Sequence, residues 1–224
     1  MNTRLASYAA YLSGILAILS AVFLSLFFGL EAPNMANAAI QQPHVWGPLS
    51  DICPIGQMLA LLVVAQALYQ INRAGAVRLS RLTYLIGLAG MLGVSSLQLL
   101  LVMGVMSFEP EVGPVLFATA VVGVWLILVN YPGRRQSPLP ARLAWLGMGV
   151  GLALMLQPLI FAVIGAEMNW QNIMSNPLLI VGSALVLVLS YVGFPIWLFW
   201  LGRTFTATQR EPSQHAAIAK PLAR

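Results

Sequence analysis

Six long apolar runs, each free of charged residues, alternate along the chain with short polar connections. They lie between Arg4 and Glu31, Asp51 and Arg73, Arg81 and Glu109, Glu111 and Arg134, Arg142 and Glu167, and from Pro177 to Arg203. A helix needs about 20 apolar residues to cross a bilayer, whereas membrane barrel strands take about 9–11 and alternate in polarity. These runs are long and do not alternate, which predicts helices over residues 8–30, 52–72, 82–107, 112–131, 142–165 and 177–201. The expected fold class is therefore all-α, a polytopic six-transmembrane-helix bundle over residues 1–203. A polar tail without structure of its own is expected over 204–224.

Composition strengthens this reading. Hydrophobic residues make up 59% of the 224 and charged residues 8%, against about 25% charged in an average soluble domain. Mean hydropathy is +0.85, and the expected solvent for most of the surface is the lipid bilayer. The net charge of +5 points to topology rather than to nucleic acid. Arg4, then Arg73, Arg78 and Arg81, then Arg134, Arg135 and Arg142, then Arg203, Arg210, Lys220 and Arg224 occupy alternate connections. The other connections carry Glu31, Asp51, Glu109, Glu111 and Glu167, with no lysine or arginine. Positive residues stay inside, so both termini are expected in the cytoplasm. The first run exceeds the roughly 7–15 residues of a signal-peptide core and is read as a retained helix.

Tyr8, Tyr11, Tyr69, Tyr84, Tyr131, Trp145, Trp197 and Trp200 fall near the basic ends of the spans, with Trp46 and Trp170 at the other side. This is the pattern of an interfacial aromatic belt. Trp125 and Tyr191 fall inside spans and are read as packed or lipid-facing. Arg-Leu pairs at Arg4, Arg81 and Arg142 open the odd-numbered spans. Small residues follow each: Ala10 and Gly14, Gly87, Gly90 and Gly93, Gly147 and Gly151. Small residues let helices approach closely in lipid. Two readings stay open, three repeated hairpins or the ordinary likeness of apolar sequences.

Much chemistry is excluded by missing residue types. Haem between helices needs axial ligands, usually histidine, and both histidines, His44 and His215, lie outside the spans. A Schiff base needs a lysine, and the single lysine is Lys220 in the tail. Cys53 is the only cysteine, so no internal disulfide or dithiol carrier is available. Ion-coupled pumps place acids or bases near the midplane, and all six spans have none there. No catalytic residue, cofactor or metal site is expected.

Uncharged polar residues remain. Gln98 lies eleven residues from Glu109 and Gln157 ten from Glu167, which puts both roughly 15 Å below the acidic surface at about 1.5 Å per residue. Ser95 and Ser190 fall near the same depth. These four form either interhelical hydrogen-bonding glue or a polar pocket for a neutral ligand. The stretch His44–Gln57 is the expected outer mouth, with His44, Asp51, Cys53 and Gln57 as its candidates. Asp51, after Ser50, has the character of an N-cap for span two, with Pro54 in its first turn. His44 and Asp51 with Glu31 or Glu167 have the chemistry to bind a divalent cation, but no spacing dictates it.

The segment Pro138-Leu139-Pro140-Ala141-Arg142-Leu143-Ala144-Trp145-Leu146-Gly147 and the ending Gly193-Phe194-Pro195-Ile196-Trp197-Leu198-Phe199-Trp200-Leu201-Gly202-Arg203 resemble a family of bacterial six-helix membrane proteins of unknown function. The resemblance covers the chain as a hydropathy pattern and implies six helices in the inner membrane, without known catalytic residues. The leading expectation is a non-enzymatic subunit acting through helix packing with itself or a membrane partner. Its alternative is a facilitator or binding protein for a small neutral or lipophilic molecule. A third reading is an enzyme using Asp51, Glu109 or Glu167 at the outer surface.

Overall fold

The computed structural model describes residues 3–31, 45–73, 77–106, 108–131, 139–167 and 177–218. His44 and Trp170 lie outside them. Seven α-helices follow in order: α1 Thr3–Leu26, α2 Trp46–Asn72, α3 Val77–Val102, α4 Phe108–Asn130, α5 Ala141–Glu167, α6 Pro177–Val188 and α7 Phe194–Ile218. A wider π-helical turn, Phe27–Glu31, ends the first span, and another, Leu189–Gly193, joins α6 to α7. Among the described residues six helical stretches are long and apolar enough to cross a membrane. The expected all-helical architecture, with six stretches of membrane-crossing length and composition, is present among the described residues.

The spans form a ring. Each of α1 to α5 packs on its neighbour in the chain, α5 touches α6 and the second π turn, and α7 returns to α1. Close approach between neighbours depends on glycine at a few points. A Cβ on Gly123 would stand 2.5 Å from the Gly151 carbonyl oxygen, and one on Gly87 would stand 2.5 Å from the Trp125 ring. The small residues of the odd-numbered spans meet different partners. Gly14 faces Phe199 of α7, Gly87 and Gly90 face α4, and Gly147 faces Asn130 and Trp197.

The core is densest towards the arginine-bearing end. Trp125 and Trp197 are fully buried, with their rings edge to face at 6.4 Å and 88°, and the Trp197 indole donates to Asn130 Oδ1 at 3.4 Å. Trp197 was expected in an interfacial belt and is instead the centre of the bundle, because its polar N–H finds a partner inside. Tyr8, Tyr131 and Trp145 do face outwards. Ser7 closes the ring by donating to the Gly202 carbonyl at 2.9 Å.

Several helix ends depart from expectation. Gly104 adopts φ +69°, a left-handed conformation suited to glycine, and Val105 N donates back to Leu100 O. This stops α3 at Val102, although the apolar run continues to 107. Glu109-Pro110-Glu111, expected as a tight turn, lies in the first turn of α4, where a proline loses no backbone hydrogen bond. The segment from Thr204, expected to lack structure, continues α7 as far as Ile218. Phe205 is buried, and Thr206 is within 2.8 Å of Ser7 Oγ.

Candidate functional site

The start of α2 shapes the acidic end of the bundle. Glu31, carried inwards by the π turn at the end of span one, is buried. Its Oε1 accepts from Val45 N at 2.7 Å and Trp46 N at 3.0 Å, and its Oε2 from Gly47 N at 3.2 Å. A carboxylate on several free backbone N–H groups is a charge-assisted cap. The expected cap, Asp51, is therefore displaced into the second turn of a helix that begins at Trp46. Glu31 is correspondingly committed to the backbone rather than to a cation beside Asp51. Among the described residues no three His, Cys, Asp or Glu side chains come together as a metal site.

Pro54 likewise lies inside α2, not in its first turn. Proline has no N–H for the carbonyl four residues back. That carbonyl belongs to Ser50, and Ser20 Oγ on α1 donates to it at 3.2 Å. Two turns deeper, Ser13 Oγ donates to Gln57 O at 3.2 Å. Two serines on α1 thus stitch the helices together where α2 is broken by proline.

Within the acidic half of the ring lies a cavity of about 500 Å3 with walls from all six spans. Ser20 comes from α1, Asp51 and Gln57 from α2, Gln98 from α3, Thr119 from α4, Gln157 from α5, and Ser190 and Tyr191 from the second π turn. Met58, Val94, Leu154 and Phe194 also line it and belong to the apolar core that continues towards the tryptophans. Phe194 stacks on Trp197 at 6.2 Å, so the tryptophan layer supports the cavity floor. Pro195, at the start of α7, removes an N–H. The preceding π turn widens the helix there, with Phe194 N bonding back to Leu189 O. Extra turns of this kind re-aim side chains at functional sites.

Two groups of candidates that the sequence kept apart meet here. Gln98, Gln157 and Ser190 of the deep level share the cavity with Asp51 and Gln57 of the mouth. Gln57, Gln157 and Ser190 are buried. Among the described residues, Gln98 Oε1 and Ser190 Oγ are buried without a hydrogen-bond partner, as is Ser95 Oγ. Ser95 does not line the cavity. Cys53 is buried and is not on the cavity walls.

Ser20, Thr119 and Tyr191 were missed. Ser20 lies eleven residues before Glu31, as Gln98 does before Glu109, and Thr119 lies eight after Glu111. Measuring depth on every span, rather than on those with glutamine, reaches both. Comparison with protein-family models, curated proteins and solved structures finds no match to this chain.

Proposed function

We propose that the chain is a bacterial inner-membrane protein, both termini cytoplasmic, that binds or passes a small neutral molecule in this cavity. The observation that carries the reading is the pair of unpartnered atoms, Gln98 Oε1 and Ser190 Oγ, on the walls of a 500 Å3 void. A buried polar atom left unpaired costs roughly 1–3 kcal/mol, and ligand sites fall at roughly 300–1,000 Å3 with a few convergent polar groups. A hydroxyl or amide donor supplies what Gln98 Oε1 lacks, and Ser190 Oγ both donates and accepts. Among the described residues no lysine, arginine or histidine lines the cavity, and Asp51 does, which disfavours anionic ligands. The tryptophan layer beneath suits a binding cup; passage requires that layer to move.

Action through partner contacts rested on small residues available to a partner, and Gly14, Gly87, Gly90, Gly147 and Gly151 are instead occupied within the chain. That reading draws no support from the geometry.

Native mass spectrometry of protein extracted from its own membranes tests the binding site. The wild type is expected to carry a small-molecule adduct. Gln98→Leu with Ser190→Ala is expected to lower occupancy about ten-fold, the equivalent of about 1.4 kcal/mol from two lost hydrogen bonds. An adduct unaffected by the pair, or none in the wild type, would refute the reading. Orientation is checked with Thr119→Cys in a Cys53→Ala background. A membrane-impermeant maleimide is expected to label intact cells with their outer membrane permeabilised. Labelling only after the inner membrane is broken would reverse the topology.

A further inference from the structure

The first and sixth spans hold each other at one end only. Towards the basic end, Ser7 bonds the Gly202 carbonyl, Gly14 lies against the Phe199 ring, and Tyr11 meets Phe199 at 6.1 Å between ring centres. Towards the acidic end they diverge, since α6 packs principally on α5. The gap is a second void of about 520 Å3, walled by Ile18, Val22 and Leu26 on one side and Tyr191, Val192 and Ile196 on the other. Its one hydroxyl on the α1 side, Ser25, already donates to Ala21 O of its own helix at 2.8 Å. The groove is therefore apolar, and most of its wall residues are exposed on the outside of the ring.

Tyr191 lines both this groove and the central cavity. It sits on the π turn, four residues before Pro195, so its carbonyl has lost the usual helical N–H partner. Span six is weakest to bending at this point. Ser190, its neighbour, presents an unpartnered hydroxyl to the cavity and is 6% exposed. A polar chamber and an apolar slot thus meet at one aromatic side chain on a break in the helix.

We propose that this slot is a lateral portal, with Tyr191 as its gate, through which a neutral single-chain amphiphile passes from the outer leaflet into the cavity. This rests on the ligand-binding reading of the cavity and names its ligand class. The hydroxyl or amide head pairs with Gln98 and Ser190, and the chain lies past Tyr191 between Val22 and Ile196. Asp51 on the cavity wall selects against fatty acids and other anionic heads. An apolar groove separated from a polar chamber by the single side chain of Tyr191 fits this occupant better than a diacyl lipid, whose second chain and phosphate find no polar partner on the groove walls.

The full-length protein in nanodiscs is irradiated with a long-chain fatty alcohol carrying an alkyl diazirine, with the matching fatty acid in parallel. The alcohol is expected to label Ile18–Leu26 and Tyr191–Phe199, to be displaced by unlabelled alcohol, and to exceed the acid about ten-fold. Val22→Trp fills the slot from an exposed position on α1 and is expected to abolish this labelling. Butanediol, which needs no slot, should still protect Thr119→Cys from maleimide in that variant. Alcohol that still reaches the cavity in Val22→Trp overturns lateral access while leaving the cavity reading intact. If neither butanediol nor alcohol protects Thr119→Cys in the unblocked protein, the cavity reading falls as well. Labelling spread evenly over the outer faces, or cross-linked dimers joined through the groove, assigns the slot to bulk lipid or a second copy and overturns the proposal.

Discussion

Trp197→Ala is expected to cost about 3–5 kcal/mol of unfolding free energy, the range for deleting a fully buried large aromatic side chain. Its ring is inaccessible, lies edge to face with Trp125 and stacks on Phe194. Removing it opens a void that three helices have to close. Asn130 also loses a donor to its Oδ1, while its own Nδ2 keeps a 2.9 Å bond to Leu126 O. Trp197→Phe separates the two contributions, because most of the packing survives and the weak 3.4 Å hydrogen bond does not. That variant is expected to lose only about 1–2 kcal/mol. Denaturant midpoints in mild detergent read both. A Trp197→Ala cost below about 1 kcal/mol would place the indole at the surface, as an interfacial residue. Phe194 forms part of the cavity floor, so Trp197→Ala should also weaken retention of any cavity ligand.

Gly123→Ala is expected to destabilise by about 1–3 kcal/mol or more, as overpacking does, whereas Gly149→Ala is expected to be neutral or to stabilise by up to about 1 kcal/mol through helix propensity. Both glycines lie in the helices α4 and α5, and both substitutions add a single methyl group. At Gly123 that methyl stands 2.5 Å from the Gly151 carbonyl oxygen and 2.8 Å from Met155 N. These are backbone atoms and cannot rotate aside, so α4 and α5 must separate. Gly151 reciprocates, its added Cβ falling 2.7 Å from the Gly123 carbonyl. At Gly149 nothing lies within 4 Å. Thermal unfolding of the two variants side by side gives the comparison. Equal responses would mean that the backbones do not approach at Gly123. Thr119 and Gln157 stand on these same helices, and a shift between them widens the cavity they line.

Much of the candidate site was legible before any tertiary information. Gln98 and Gln157 followed from counting residues inwards from Glu109 and Glu167, and Ser190 from its matching depth on span six, because a helix rises by a fixed distance per residue. Depth is a one-dimensional quantity, and sequence carries it well. Cys53 and Ser95 stay off the cavity walls for the complementary reason. Each is at a suitable depth, but lining a cavity depends also on rotation about the helix axis. Asp51 was given a capping role that Glu31 holds, since the deciding contact spans fourteen residues from Glu31 to Val45. Capping preference describes a residue's own neighbourhood and is silent about a carboxylate delivered by the preceding helix.

By itself the sequence determined six apolar helices, the asymmetric placement of arginines and acids at their two ends, and the level at which polar side chains occur. Only the tertiary structure decided that the helices close into a ring, that Trp197 is its centre, and that Asp51 and Gln57 share one chamber with Gln98, Gln157 and Ser190. The reason lies in the composition of the helices. A helix in water advertises its buried face by contrast with a polar one, but in these spans both the inward and the outward faces are apolar, so hydropathy records length and depth and leaves rotation to be set by packing.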